Sequence, residues 1–581
     1  MEYIFILILF ELCINTEVVK CTVCSVNGHE FAELNETSFS HLEGLKGLKV
    51  EQQTPGLVIR NNTFRRLSNL ILLRLTTNLS LTQCSLDGSV LSGDVLKPLV
   101  SLEMLVLQDN NIHRIQPASF FLNMRRFHVL DLSHNKVKSI CEDLLSFQGK
   151  HFTLLTLASV TLQDMNEYWL GWDKCGNPFK NMSVMVLDLS GNGFKVPMAK
   201  RFFDAFTGPE IQGLILSRSY NIGSSFAPNN FPDPDKFTFK GLEVSGVKIF
   251  DLSQSHIFTL SNSINIIENN AFLVPIQLVC LLYFKTHAPP LIDSKTFQNL
   301  EKLEVLDLSY NYIRVLGDQS FQGLPNLLNL NLTGNALESV HEFATLANLK
   351  KLYLGENRIS SLSILPNISK NLTTLDLEFN RLKDLSDLYT ILREFPQIEK
   401  IFLRSNMFSM RHNQRQIVVS DKLQLLNLEL STMQLIWSEG KCLNVFNNLH
   451  QLEQLSLASN GLQSLPKDIF KDLTSLIFLD LSFNSLKHLP NGIFPKSLQI
   501  LKLEYNSIYS VDPNLFIALS LMKNQFRCDC SLRDFQTWLN QTSVTLFHSI
   551  EDVTCASPED QYMVPVVRSS IKCEDEEDEK R

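Results

Sequence analysis

The sequence predicts an α/β solenoid: a curved horseshoe whose short parallel strands line the concave face, closed at its C-terminal end by a disulfide-bonded cap. Three observations predict it. The word Leu-x-x-Leu-x-Leu-x-x-Asn recurs along most of the 581 residues. A phenylalanine follows many copies after a small turn, as at Phe120, Phe297, Phe321, Phe470 and Phe494. Near the C-terminus, Cys528, Cys530, Cys555 and Cys573 form a C-x-C pair followed by two spaced cysteines.

Clear copies of the word end at Asn110, Asn135, Asn192, Asn311, Asn335, Asn357, Asn380, Asn406, Asn460, Asn484 and Asn506, and degenerate ones at Ser219, Ser255 and Ser431. Asn335, Asn357, Asn380 and Asn406 are 22, 23 and 26 residues apart, within the roughly 20–29-residue period of leucine-rich repeats. The chain therefore reads as a leucine-rich-repeat solenoid. The leucines of each copy, such as Leu303, Leu306 and Leu308, point inward from one strand, and Asp307 and Ser309 between them point onto the concave face. The closing asparagine is expected to be buried, its amide bonding backbone of the neighbouring turn. Stacked repeats bury their leucines against one another. Leu306, Leu330, Leu352, Leu375 and Leu479 should be fully buried. The 39 phenylalanines are core and spine and not a cofactor box.

A solenoid needs capped ends. The C-x-C arrangement is that of the usual C-terminal caps of such repeats, which implies Cys528–Cys555 and Cys530–Cys573 with Trp538 packed beneath. Four-cysteine zinc binding is the rival, disfavoured in an oxidising compartment. Cys141 and Cys175 flank a long insertion and are expected to bridge it; Cys21, Cys24, Cys84, Cys280 and Cys442 are left without an assigned partner. From 256 to 300 the repeat is irregular. Ser255 and Asn311 are 56 positions apart, about two periods, and the Leu-x-Leu-x-x-Asn frame is lost between them. Pro289 and Pro290 also remove backbone donors there. The resulting order is a signal peptide at 1–20, a shortened N-terminal cap at 21–45, repeats at 46–524, the cysteine cap at 525–574 and an acidic tail at 575–581.

The apolar run Tyr3–Phe10 is too short to span a bilayer and suits a secretory leader. The 12 cysteines and eight Asn-x-Ser/Thr sequons agree with that route. Glycans are expected at Asn35, Asn61, Asn181, Asn331, Asn367, Asn371 and Asn540, whereas Asn78 reads as a buried closing asparagine that stays unmodified. The expectation is a secreted, extracellular protein with no membrane insertion. A net charge of −9 with no strongly basic stretch argues against nucleic acid as partner. No HExxH, G-x-S-x-G or phosphate-binding glycine loop occurs, and the histidines have no metal-ligand spacing. No enzyme, metal or cofactor is expected. Asp131, Asp188, Asp251 and Asp307 recur at one repeat position and read as solvated strand residues.

The irregular segments carry more information than the repeat. NMRRFHVLDLSHNKVKSICEDLLSFQGKHFTLL, MNEYWLGWDKCGNPFKN, FPDPDKFTFKGLEVSGVKIFDLSQSHIF, the cap and the CEDEEDE run resemble Toll-like receptors of the flagellin-sensing kind, from about Thr37 to the end. The resemblance implies a pattern-recognition ectodomain that binds bacterial flagellin along a lateral side. It is similar to the soluble fish form that lacks the membrane span and signalling domain, a co-receptor or decoy. Its partners would be flagellin and a membrane-bound receptor of the same family or itself. The ligand-gripping loop of the family falls in the altered segment 264–292. The other class of function is a matrix or adhesion protein binding a host protein or glycan.

Placement of the sequons supplies an argument independent of the resemblance. Glycans are large and polar, so a protein-binding face should lack them. Asn181, Asn367 and Asn371 fall just before strands, Asn35 and Asn61 on the convex side, Asn331 on the concave face and Asn540 in the cap. The turns leaving the strands are bare. Their candidate ligand contacts are Asn111, Arg114, Gln116, Lys136 and Lys138, then Tyr312, Arg314 and Asp318.

Overall fold

The computed structural model describes residues 19–22, 25–26, 29–30, 33–34, 47–51, 58–59, 78–82, 86–94, 96–97, 99–137, 140, 143–160, 178–192, 202–204, 211–216, 245–251, 280–282, 291–292, 294, 296–297, 300–311, 313–317, 319–340, 345–362, 368–383, 386–408, 422–428, 433–438, 440, 443–490, 492–509, 518–542, 545–546 and 548–571. The chain divides into two compact units: Met1–Asn311 with Gly323–Pro325, and Tyr312–Gln322 with Asn326–Arg581.

In the first unit the strands Val19–Thr22, Gly47–Glu51, Asn78–Thr82, Met104–Val106, Val129–Asp131, His151–Thr156, Ser183–Asp188, Ile211–Ile215, Ile249–Asp251, Cys280–Leu282 and Val305–Asp307 pair in parallel, each with the next. In the second, Asn329–Asn331 is followed by Lys351–Tyr353, Thr374–Asp376, Lys400–Phe402, Leu425–Asn427, Gln454–Ser456, Phe478–Asp480, Ile500–Lys502, Ala518–Ser520 and Thr545–Leu546, again parallel. The register aligns the central leucine of each word with its counterpart, as Leu330↔Leu352↔Leu375. Leu306, Leu330, Leu352, Leu375 and Leu479 are 0% exposed. The leucine-rich-repeat solenoid of parallel strands is thus the fold.

The closing asparagines hold the repeats together. Asn135 Nδ2 donates to Leu132 O in its own repeat and to Leu107 O in the one before, both at 2.9 Å, and its Oδ1 accepts from Ile112 N at 3.0 Å. Asn357, Asn380, Asn406 and Asn484 repeat the pattern. One amide therefore satisfies three backbone groups that the tight turn would bury unpaired. The residue before each described asparagine is left-handed, with φ between +52° and +69° from Asp109, His134 and Gly191 to Phe483, Tyr505 and Lys523. That conformation lets its N–H reach forward to the following repeat, as Glu356 N donates to Glu378 O at 2.8 Å. At Gly191 a Cβ would lie 2.1 Å from Ser159 Oγ, so a side chain there would require the serine to shift.

Strand pairing adds three repeats to the copies that the word spells out. The long insertion between Cys141 and Cys175 contains a full repeat: His151–Thr156 pairs in register on both sides, with Phe152, Leu155 and Leu157 fully buried. Val160, also 0% exposed, takes the closing position, and without an asparagine there the word was not recognisable. The altered segment likewise keeps its phase at Cys280–Leu282, where Leu281 stands opposite Phe250 and Leu306. A further repeat closes at Asn524, whose Nδ2 donates to Leu503 O and Leu521 O at 2.8 Å. Ser219, Ser255, Ser431 and both Cys141 and Cys175 lie outside the described residues.

Phe297, Phe321 and Phe470 are buried as expected, and Phe446, Phe470 and Phe494 stack in succession. At the first spine position Phe121 is the wholly buried ring and Phe120 is half-buried against it. In the cap, Cys528 and Cys555 form a disulfide. Cys530 is also disulfide-bonded, and its expected partner Cys573 lies outside the described residues. The helix Arg533–Gln541 buries Phe535 and Leu539, while Trp538 is half-buried and stacks on Phe535 from outside. Phe535, not Trp538, is the residue packed beneath the cap, against Phe526.

Candidate ligand-binding flank

Beyond each closing asparagine the chain leaves the strand and runs along one flank of the repeats. Its path is set by a second backbone series. Asn111 N donates to Leu86 O at 2.8 Å and Lys136 N to Ile112 O at 3.0 Å. Ile112 and Ile115 are buried at 0% exposure, as are Val137 and Ile140 in the following repeat. These anchors leave the intervening positions facing water. Asn111, Arg114, Gln116 and Lys136 are all exposed. His113 lies between them, its Nδ1 2.7 Å from Asn111 O. In the preceding repeat Asp87 accepts from Ser89, and those hydrogen bonds hold its carboxyl below the usual carboxylate range.

The second unit, by itself, builds a corresponding flank. Arg314 is exposed between buried Ile313 and Leu316, and Val315 beside it is 55% exposed. Lys138, Tyr312 and Asp318 lie outside the described residues. Two cations of this series went unread in the sequence. Arg358 N donates to Leu337 O at 2.8 Å and Arg381 N to Ile359 O at 2.9 Å, and both side chains are exposed. The available signal was their place directly after a closing asparagine, in Asn357-Arg358-Ile359 and Asn380-Arg381-Leu382.

The concave acids have a different role. Asp131, Asp188, Asp307 and Asp480 end their strands, and each Oδ1 accepts from the backbone N–H two residues on, at 2.8–2.9 Å. They cap the turn that leaves the strand. Burial pushes the carboxyls of Asp131 and Asp376 above the usual range, so the expectation of a solvated position does not hold for Asp131. Asn331 fills the same place with an amide, accepting from Thr333 N at 3.1 Å.

The sequons distribute as follows. Asn181 and Asn371 are exposed ahead of their strands, Asn540 is exposed on the cap helix, and Asn331 ends a strand on the concave side. Asn35, Asn61 and Asn367 lie outside the described residues. Asn78 is not a closing asparagine: it begins the strand Asn78–Thr82 opposite Met104. Among the described sequons none lies on the flank.

The leucine rich repeat family matches at residues 291–337 and 450–495, and its two-copy form at 347–390. Toll-like receptor 5 of Homo sapiens is 31% identical over 612 residues, covering 93% of this chain and 66% of that receptor. Toll-like receptor 5 of Mus musculus is 33% identical, covering 90% of this chain and 64% of the receptor. The chain thus spans about two thirds of the length of these relatives. Among solved structures, the fold is similar to that in the crystal structure of a TLR13–ssRNA13 complex, with a TM-score of 0.54 and 19% identity over 90% of this chain and 84% of the other. Among the described residues no helix is long and apolar enough to cross a membrane. The repeat, the ladder of asparagines and similarity along nine-tenths of the sequence place the chain in the Toll-like receptor family, as a leucine-rich-repeat homologue of Toll-like receptor 5.

Proposed function

We propose that this chain is a secreted pattern-recognition ectodomain that binds bacterial flagellin through the flank, and acts as a soluble co-receptor or decoy beside a membrane-bound receptor of the same family. Similarity to Toll-like receptor 5 along nine-tenths of the chain carries the reading. Flagellin is the ligand that this resemblance implies. The geometry supports a contact surface in which rigid, ladder-anchored backbone presents Asn111, Arg114, Gln116 and Lys136 to solvent, clear of the described sequons. A preformed surface limits the ordering cost of association. Arg114 and Lys136 would pair acidic or amide groups on a helical ligand, Arg offering a fork and Lys a point charge. The protein contributes recognition and no covalent chemistry.

Binding of purified flagellin monomer tests this. R114E together with K136E should weaken affinity at least about tenfold, roughly 1.4 kcal/mol, whereas D307R on the concave face should leave it intact. Unchanged affinity in the flank double variant with loss in D307R rejects the flank. No binding by the unaltered chain rejects flagellin and favours a host protein or glycan as ligand.

A further inference from the structure

We propose that Asn78 carries an N-linked glycan, standing on the concave face of the first unit. In the sequence Asn78 passes for a closing asparagine, a slot in which a glycan would break the repeat, because the amide there donates to two buried carbonyls. The strand register moves it out of that slot. Leu79 lies opposite Leu105, and Leu81, 0% exposed, takes the place that Leu107 has in the following repeat. Asn110 Nδ2 donates to Leu81 O at 2.7 Å, just as Asn135 Nδ2 donates to Leu107 O at 2.9 Å. The closing position of this repeat therefore comes after Leu81, and Asn78, which precedes it, is not that position.

Asn78 is instead the first residue of its strand. It is half-buried, like Ser80 and Thr82, in alternation with buried Leu79 and Leu81. Successive side chains on a strand face opposite ways, so the leucines enter the core and Asn78 and Ser80 share the concave face. Both halves of the sequon Asn78-Leu79-Ser80 lie on that side. Across the sheet, the register neighbours of Asn78 are Gly47, which carries no side chain, and Met104, which is half-buried. At that register position Gly47 has no side chain to crowd a sugar, and a glycan on Asn78 leaves the ladder of asparagines untouched.

The donor is a lipid-diphosphate-linked oligosaccharide met in the secretory pathway. Transfer forms a bond from Asn78 Nδ2 to C1 of the first N-acetylglucosamine and breaks the bond from C1 to the diphosphate oxygen. The lipid diphosphate leaves, and the amide proton departs with it. A glycan here would bar large ligands from the concave face near Met104–Val106, whatever the ligand is, so the inference does not depend on flagellin.

The full chain, expressed in cultured vertebrate cells, is treated with peptide N-glycosidase in heavy-oxygen water, and the peptide containing Asn78 is read by mass spectrometry. Conversion of Asn78 to labelled aspartate in most secreted molecules is expected. S80A should abolish the label and S80T, which keeps the sequon, should retain it. Unmodified Asn78 in secreted chain whose Asn371 is converted overturns the proposal, as does a chain that acquires no glycan.

Discussion

A single amide does the most at the residue scale. Asn135 joins two repeats through Leu107 O, Leu132 O and Ile112 N. Asn135→Ala would orphan the buried Ile112 N–H, at a cost of about 1–3 kcal/mol for that group alone, and should lower the urea midpoint accordingly. The capping acids predict a pH effect of defined sign. Burial raises the folded-state pKa of Asp131. A raised carboxyl contributes stability that is fully present below its unfolded value of about 3.9 and is lost as pH rises through the folded value. D131N keeps an acceptor for Ser133 N, as Asn331 does for Thr333 N. The variant should therefore melt higher than the unaltered chain at neutral pH, with the gain shrinking in acid. Thermal melts across pH check this; a gain that grows in acid contradicts it.

At the scale of elements, each strand contributes a short run of side chains to the core and depends on its neighbours for burial. Leu352 is fully buried between Leu330 and Leu375, so Leu352→Ala should cost about 2–5 kcal/mol by cavity formation, read from chemical unfolding. The cap has less core of its own: Phe526, Phe535 and Leu539 lie under Cys528–Cys555. Replacing both of those cysteines with serine should cost about 2–4 kcal/mol. Amide exchange should then rise first in the helix Arg533–Gln541. Equal protection there in the variant and the parent chain would contradict the expectation.

Across the whole molecule the net charge is −9, yet the flank of the first unit exposes Arg114 and Lys136 and the corresponding flank of the second exposes Arg314, Arg358 and Arg381. Charge at the edge of an interface acts mainly on the rate of encounter and is screened by salt. If the proposed function holds, association with flagellin should slow as ionic strength rises, while R114E combined with K136E flattens that dependence. A salt-independent association rate in the parent chain would mean that these cations do not face the ligand.

The periodic leucines and asparagines by themselves determined the solenoid and the buried faces of the strands, because each repeat buries its apolar residues against near-copies of itself, and the C-x-C pair with its two later cysteines marked the cap. The flank was read from the placement of the sequons, and the structure adds that Ile112, Ile115 and Ile313 are buried at matching offsets from Asn110 and Asn311. What the word did not encode was left to strand pairing. Val160 takes the place of the closing asparagine in its repeat, so only register shows that repeat. The left-handed residue before the asparagine is Asp, His, Ser, Glu, Phe, Tyr, Lys or Gly; it has no sequence signature because the ladder of backbone hydrogen bonds, and not the side chain, imposes the conformation. Asn78 was misplaced for the same reason: its neighbours in space, Gly47 and Met104, are 31 and 26 residues away in sequence, and the side of a strand that a residue faces is decided by the strands it pairs with.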